Sequence, residues 1–102
     1  MAAFIHTIAM KAKPGRLADA RAEAARLAER VTEIGASVRM LTPTTGDPLQ
    51  ATMVIEFGSG EAWAEFTQSD AVREARRARL ETDYPIEVLN TMVYQELTIN
   101  PD

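Results

Sequence analysis

Proline and glycine divide this chain of 102 residues into six short segments, and the division limits the folds that the chain can adopt. The breaks lie at Pro14-Gly15, Gly35, Pro43, Gly46-Asp47-Pro48, Gly58-Ser59-Gly60 and Pro85. Because these two residue types seldom lie inside a regular helix or strand, each segment between them is expected to form its own element. The chain therefore predicts a single small domain, residues 1–102, built from short strands and helices.

Four of the segments predict β-strands. Residues 4–13, 36–42, 49–57 and 86–99 are rich in β-branched and other apolar side chains. In the third of these, apolar residues occupy alternate positions: Leu49, Ala51, Met53, Ile55 and Phe57. That alternation is typical of a strand with one buried face.

The remaining segments predict helices. Between residues 16 and 34, apolar residues recur every three or four positions: Leu17, Ala20, Ala24, Leu27, Ala28, Val31 and Ile34. Gly35 lies where a glycine commonly ends such a helix. Ser59 is expected to cap a helix that carries Trp63 and Phe66, and Ser69 is expected to cap a further helical run to about Leu80.

The order β-α-β-β-α-β predicts an α+β, ferredoxin-like fold with both helices on one face of an antiparallel sheet. Right-handed connections place the first and third strands in the centre. The first strand is apolar on both faces, with Phe4, Ile8 and Met10 opposite Ile5 and Ala9. In the last strand, Ile86, Val88, Met92 and Tyr94 alternate with Leu89, Val93, Leu97 and Ile99.

A sheet that is apolar on both faces needs a second covering layer, and two helices supply only one. We therefore expect the chain to associate with a second copy through the sheet faces, which forms a homodimeric α/β barrel. On this interpretation, a charge introduced at Leu89 or Val93 weakens the dimer.

Composition narrows the functions that this chain can have. With 11 basic and 15 acidic residues and a net charge of -4, non-specific nucleic-acid binding is not expected. The absence of cysteine excludes disulfides and thiolate chemistry, and a single histidine with scattered carboxylates predicts no metal site. We find neither an apolar run of about 20 residues nor a signal-peptide pattern, so the sequence predicts a cytoplasmic protein that does not enter a membrane.

Residues 56–70 carry a family resemblance. This segment (EFGSGEAWAEFTQSD) contains a strand end with an aromatic residue, a short polar turn, an acidic-Ala-aromatic helix start and a Ser-Asp break. It resembles the dimeric α/β-barrel superfamily, which includes stress-responsive barrel proteins, antibiotic-biosynthesis monooxygenases and haem-degrading monooxygenases. The resemblance implies the barrel fold and leaves the chemistry open, because one fold hosts several activities.

Two branches of that superfamily can be compared by position. The haem-degrading members carry a tryptophan, a haem-ligating histidine and an asparagine where this chain has Phe57, Arg76 and, approximately, Ile8. Because the axial ligand is missing, we expect no haem. We expect no other cofactor either. The cofactor-free, quinone-forming members carry an aromatic residue at the position of Trp63 and, if a one-residue gap is allowed, an arginine at the position of Arg76. This chain differs from them at two positions, because Phe57 replaces their tryptophan and Met53 replaces their polar amide.

His6 and Arg76 are the candidate catalytic residues. His6 is either a general base or anion-stabilising group, or simply a hydrogen-bonded histidine near the start of a strand. Arg76 either stabilises an enolate or peroxide anion, or belongs to a solvated helix face. The candidate ligand-pocket residues are Trp63, Phe57, Met53 and Tyr84, and ordinary core packing is the alternative for each.

Two functions of different class remain open at this point. The first is a cofactor-independent, monooxygenase-like enzyme, or an isomerase-like relative, that acts on a small apolar or aromatic substrate. The second is a non-catalytic barrel protein that binds a small apolar ligand or has a stress-associated role. A cavity of a few hundred Å³ with His6 or Arg76 at its wall favours the first, and a filled interior favours the second.

Overall fold

The computed structural model describes residues 3–97, which form four strands and three helices. The elements are β1 (Phe4–Ala12), α1 (Leu17–Glu33), β2 (Ser37–Leu41), β3 (Gln50–Phe57), α2 (Gly60–Thr67), α3 (Asp70–Ala78) and β4 (Ile86–Gln95). None of the three helices is long and apolar enough to cross a lipid bilayer. The last strand was predicted over residues 86–99 but ends at Gln95, so the prediction is wrong for Glu96 and Leu97. The predicted strand residues Thr98 and Ile99 lie outside the described residues.

The four strands form one antiparallel sheet in the order β2-β3-β1-β4. The predicted α+β, ferredoxin-like fold is therefore confirmed, with the first and third strands in the centre. The second helical region consists of two helices, so the element order is β-α-β-β-α-α-β. The break falls at Gln68 and Ser69, where the Ser69 hydroxyl accepts a hydrogen bond from the Val72 amide (3.3 Å) and starts α3.

The other predicted helix boundaries are also confirmed. The Ser59 hydroxyl accepts a hydrogen bond from the Ala62 amide (3.1 Å), which caps α2. Gly35 follows α1 with a φ of +101°, the left-handed conformation that glycine adopts without steric strain. These caps fix where each helix begins or ends, and hence which of its residues face the sheet.

The core lies between the sheet and the helices. Met53 and Ile55 of β3 are 1% and 0% exposed, and Phe57 is buried beside them. Ala20, Ala24 and Val31 supply the buried face of α1, and Phe66 supplies that of α2. The small alanine side chains let α1 lie close to the sheet, and the longer residues of β3 fill the layer.

A β-bulge in β4 changes which side chains share a face. Ala9 pairs with Asn90 whereas Met10 pairs with Val88, so Leu89 is an extra residue. One extra residue inverts the alternation of a strand. Residues before and after the bulge therefore do not share one face, as the regular alternation had predicted. Ile86 and Val88 face the helices, whereas Met92 and Tyr94 face away from them, and Val93 pairs with His6 on the helix side.

The open face of the sheet is apolar at its centre. Thr7 pairs with both Val54 and Met92 across the two central junctions. Val54 is only 7% exposed although none of the described helices covers it, and Met92 is 44% exposed. Since Leu89 is the bulge residue and Val93 faces the helices, Met92 is the better position for a charge that probes this face.

We expect Gly35→Ala to lower the free energy of unfolding by about 1–2 kcal/mol, because alanine is strained in the left-handed conformation. Gly58→Ala is the matched control: a Cβ would have open space at both positions, and only Gly35 has a positive φ. Denaturant titration at one protein concentration measures both variants. Equal effects of the two substitutions would contradict the assigned role of Gly35.

Candidate functional site

A cavity of about 260 Å³ lies between the helix-facing side of the sheet and helices α1 and α3. Its walls are mostly apolar and include Ile8, Met10, Leu27, Val31, Met53, Ile55, Val72, Ile86 and Val88. Its polar lining comes from His6, Thr91, Tyr84 and the arginines 30, 76 and 79. An apolar cleft with a few polar groups is the usual form of a small-molecule site.

His6 lies on β1 at one wall of the cavity and is held by aromatic neighbours. Its ring meets the Phe66 ring edge-on, with centroids 5.9 Å apart. Its Nδ1 accepts a hydrogen bond from the indole N–H of Trp63, with a donor–acceptor distance of 3.4 Å. Because an indole N–H can only donate, Nδ1 must be unprotonated, and the neutral ring carries its proton on Nε2. His6 is therefore a hydrogen-bond donor through Nε2.

Burial and a neighbouring cation keep His6 neutral. Burial lowers the pKa of His6 below 6.5, and the positive charge of Arg76 lowers it further. An uncharged imidazole then predominates at neutral pH. With Nδ1 occupied by Trp63 and Nε2 protonated, the arrangement favours anion stabilisation by His6 over its use as a general base.

Among residues 3–97, the lining of the cavity has three arginines and no carboxylate. Arg30 is paired with Glu74 at 2.7 Å. Arg76 and Arg79 differ from it: within residues 3–97, neither has a carboxylate within 4.0 Å. They are three positions apart at the C-terminal end of α3, so both side chains project from the same helix face. Their charges are available to a ligand.

Tyr84 closes another part of the lining. Its hydroxyl donates a hydrogen bond to Glu23 (2.8 Å), and Glu23 forms two contacts of 2.8 Å with Arg26. Burial raises the pKa of Tyr84, and the hydrogen bond to Glu23 raises it further. Tyr84 therefore stays protonated, and its proton is committed to Glu23. This network makes Tyr84 a wall residue that can accept, but not readily donate, a hydrogen bond.

The structure brings four of the six predicted site residues to the cavity: His6, Arg76, Met53 and Tyr84. Trp63 and Phe57 lie outside the lining and pack behind it. Trp63 contacts His6, and Phe57 packs against Phe66 with ring centroids 5.0 Å apart. Their role in this arrangement is to position the lining residues.

Sequence reasoning missed Arg79 and Thr91. Arg79 follows Arg76 by three positions, so helical periodicity could have placed both on one face. Thr91 faces the cavity because the bulge at Leu89 shifts the alternation of β4. We find no signal in the sequence that predicts this bulge. Within residues 3–97, no group of three or more His, Cys, Asp or Glu side chains is arranged to hold a metal ion.

The fold is shared with solved structures at low sequence identity. A protein of unknown function from Bacteroides thetaiotaomicron, described as a possible oxidoreductase, has a TM-score of 0.73 at 8% identity and covers 93% of this chain and 98% of its own. A candidate antibiotic biosynthesis monooxygenase from Bordetella bronchiseptica has a TM-score of 0.67 at 19% identity, over 98% of this chain and 100% of its own. A further antibiotic biosynthesis monooxygenase has a TM-score of 0.66 at 11% identity, covering 98% and 100%.

These likenesses confirm the resemblance to antibiotic-biosynthesis-monooxygenase-like proteins as a likeness of fold. The sequence matches no protein-family model and no curated protein. The activity of this chain therefore has to be argued from its own cavity.

His6 is the only histidine, so its titration can be followed by one NMR signal. We expect a pKa below 6.5 in the folded protein, and we expect Arg76→Gln to raise it because a nearby positive charge is removed. The value should stay below 6.5, since burial is the larger cause. Arg77→Gln, on the same helix but outside the lining, is the control.

The same shift predicts a pH dependence of stability. The unfolded chain binds the His6 proton more tightly than the folded chain, so the free energy of unfolding should fall as the pH drops below 6.5. His6→Gln should remove that slope. A His6 pKa at or above 6.5 would contradict the arrangement described here.

Proposed function

We propose that this protein is a cofactor-independent monooxygenase that oxidises a small phenol or enol in the cavity beside His6 and Arg76. The observation that carries the proposal is the open, apolar cavity of about 260 Å³ with a neutral imidazole donor and an unpaired guanidinium at its wall. A cavity of about 150 Å³ holds benzene, so this one has room for about ten non-hydrogen atoms. That size fits one substituted ring or a compact pair of rings.

The reaction consumes one dioxygen for each phenol. The bound phenol loses its proton to solvent, and the phenolate transfers one electron to dioxygen; recombination forms a C–O bond at the ring carbon para to the oxygen. The distal peroxide oxygen takes up a proton. The ring C–H and the O–O bond then break, water leaves, and a quinone remains. The phenol supplies all four electrons, so no external reductant is needed.

His6 and Arg76 act on the anion. The positive charge of Arg76 lowers the free energy of the phenolate, and the Nε2–H of His6 donates a hydrogen bond to it. The hydrogen bond from His6 gains strength because the apolar walls around this half-buried ring exclude water, whereas the exposed Arg76 acts from the rim of the cavity. Trp63 is a positioning residue, because its indole N–H fixes which nitrogen of His6 carries the proton.

The hydrogen bond between Trp63 and His6 also supports a second candidate function. Because Trp63 occupies Nδ1 and Nε2 is protonated, His6 offers no free basic nitrogen to a substrate. An anion can then bind without reacting further. The alternative proposal is a non-catalytic barrel protein that binds a small aromatic anion in this cavity.

We also propose that two copies associate through the open sheet faces to form the homodimeric barrel. Val54 and Met92 flank Thr7 at the centre of that face. Lys11, Glu87 and Glu56 lie towards its ends, and Arg39 of the edge strand β2 pairs with Val54 at its side. A two-fold dimer would remove this centre from water. Two further predictions from the sequence are kept as proposals. They are that residues 1–102 form a single domain and that the protein is cytoplasmic.

Oxygen uptake with 1-naphthol tests the enzymatic proposal. We expect consumption of one dioxygen per 1,4-naphthoquinone formed, and we expect Arg76→Gln to lower kcat/KM by about tenfold or more because the anion loses its cation. Arg77→Gln is the matched control and should keep the wild-type rate. An oxygen electrode and quinone absorbance provide independent readouts.

Uptake no faster than without protein would rule out oxidation of this phenol. Calorimetric binding of 1-naphthol in that case would favour the non-catalytic alternative. Equal rates for Arg76→Gln and Arg77→Gln would remove Arg76 from the mechanism.

The dimer is tested by a charge in the apolar centre of the open face. Met92→Lys should give monomer or aggregate on a sizing column coupled to light scattering, because a buried unpaired lysine is unfavourable. Leu80→Lys is the control, since Leu80 is 86% exposed at the end of the α3 region, away from the sheet face. A wild-type protein that is already a stable monomer, or a Met92→Lys protein that remains a dimer, contradicts the barrel.

A further inference from the structure

The charge of the cavity is opposite to the charge of the chain. The whole sequence has 15 acidic and 11 basic residues, yet the part of the chain that the structure describes lines the cavity with three arginines and no aspartate or glutamate. Stabilising one phenolate needs one cation, and Arg76 lies beside His6 for that purpose. The second unpaired arginine, Arg79, therefore has no role in the proposed reaction.

Arg79 lies about one helical turn beyond Arg76, at the C-terminal end of α3, and both line the cavity. The two arginines are three positions apart, which is about 4.5 Å along a helix axis. The cavity extends beyond one helical turn, because it is lined by three alternate residues of β1 (His6, Ile8 and Met10) that together span about 13 Å.

Two charged groups beside this part of the cavity already have partners, and within residues 3–97 neither Glu81 nor Asp83 lies within 4.0 Å of Arg79. Glu23 is held by Arg26 and by the Tyr84 hydroxyl, and Arg30 is held by Glu74. The positive charge of Arg79 thus remains without a partner among residues 3–97. A singly charged anion matches it, and a guanidinium binds a carboxylate through two parallel hydrogen bonds.

We propose that the ligand of this cavity is a hydroxyaryl carboxylate, whose phenolic oxygen lies at His6 and Arg76 and whose carboxylate is bound by Arg79. This inference rests on the proposed function for the role of the phenolic end, and on Arg79 for the carboxylate end. The ring between the two groups contacts apolar wall residues such as Met53 and Ile55. A substrate of about ten non-hydrogen atoms satisfies the volume and both charges.

Three small probes separate the two ends of the ligand. 3-Hydroxyphenylacetate carries both groups, 2-(3-hydroxyphenyl)ethanol replaces the carboxylate by an alcohol, and phenylacetate lacks the phenol. Affinities are measured by calorimetry, with the fluorescence of Trp63, the only tryptophan, as a second readout. We expect the first probe to bind about five- to tenfold more tightly than the alcohol.

Arg79→Gln should remove this preference, so that acid and alcohol bind alike. Arg77→Gln is the matched control, because it removes a neighbouring charge of α3 that does not line the cavity, and it should leave the preference intact. Equal binding of acid and alcohol by the wild-type protein would overturn the proposal. A preference that survives in Arg79→Gln would overturn it as well.

The failure of this inference can be told apart from the failure of the proposed function. 1-Naphthol has no carboxylate, so its oxidation tests the enzyme alone. If 1-naphthol is oxidised and the acid has no advantage over the alcohol, the carboxylate subsite is wrong and the enzyme stands. If phenylacetate binds through Arg79 and no phenol is oxidised, the subsite stands and the enzyme is wrong.

Discussion

The central strand β1 and the neighbouring edge strand β4 have apolar side chains on both faces, and the other features of this molecule depend on that constraint. Helices α1, α2 and α3 cover one face and enclose the core around Met53 and Ile55. The other face keeps an apolar centre at Val54 and Met92. The apolar residues on the helix side therefore build the fold and the cavity, and those on the open face are the basis of the proposed dimer.

The helix-side layer is not completely filled, and this incomplete filling produces the cavity. The side of α1 that faces the sheet is rich in alanine, and α3 contributes Ala71, Val72 and Ala75 above the sheet. Small side chains on the helices and longer ones on the strands leave a cleft lined mainly by carbon atoms. The arginines of its lining lie on α1 and at the end of α3, where their stems extend the apolar wall.

The state of His6 depends on side chains from three elements. Trp63 of α2 donates to its Nδ1, Arg76 of α3 opposes its protonation, and Phe66 packs against its ring. A histidine near the start of a strand, read from the sequence alone, could be a base, a donor or a structural residue. The hydrogen bond from Trp63 decides among these roles, because it fixes the proton on Nε2. No sequence pattern predicts a tertiary contact of this kind, because its two residues are far apart along the chain.

The order and ends of most elements were predictable from the sequence, whereas the side chains that line the cavity were predictable only in part. The helix caps at Ser59 and Ser69 and the glycine after α1 were predictable because each is a local effect of one residue on the adjacent backbone. The faces of β4 were not predictable beyond Val88, because the bulge at Leu89 inverts them. The same inversion brings Thr91 to the cavity and turns Met92 away from it, and so it determines both the site and the open face.

The most direct measurement is a crystal structure of the protein with 3-hydroxyphenylacetate bound. We expect the ring within the cavity, the phenolic oxygen within hydrogen-bond distance of His6 Nε2 and near Arg76, and the carboxylate on the guanidinium of Arg79. A ligand bound only on the open face of the sheet, or a cavity collapsed around Met10 and Met53 with His6 turned away, would contradict it.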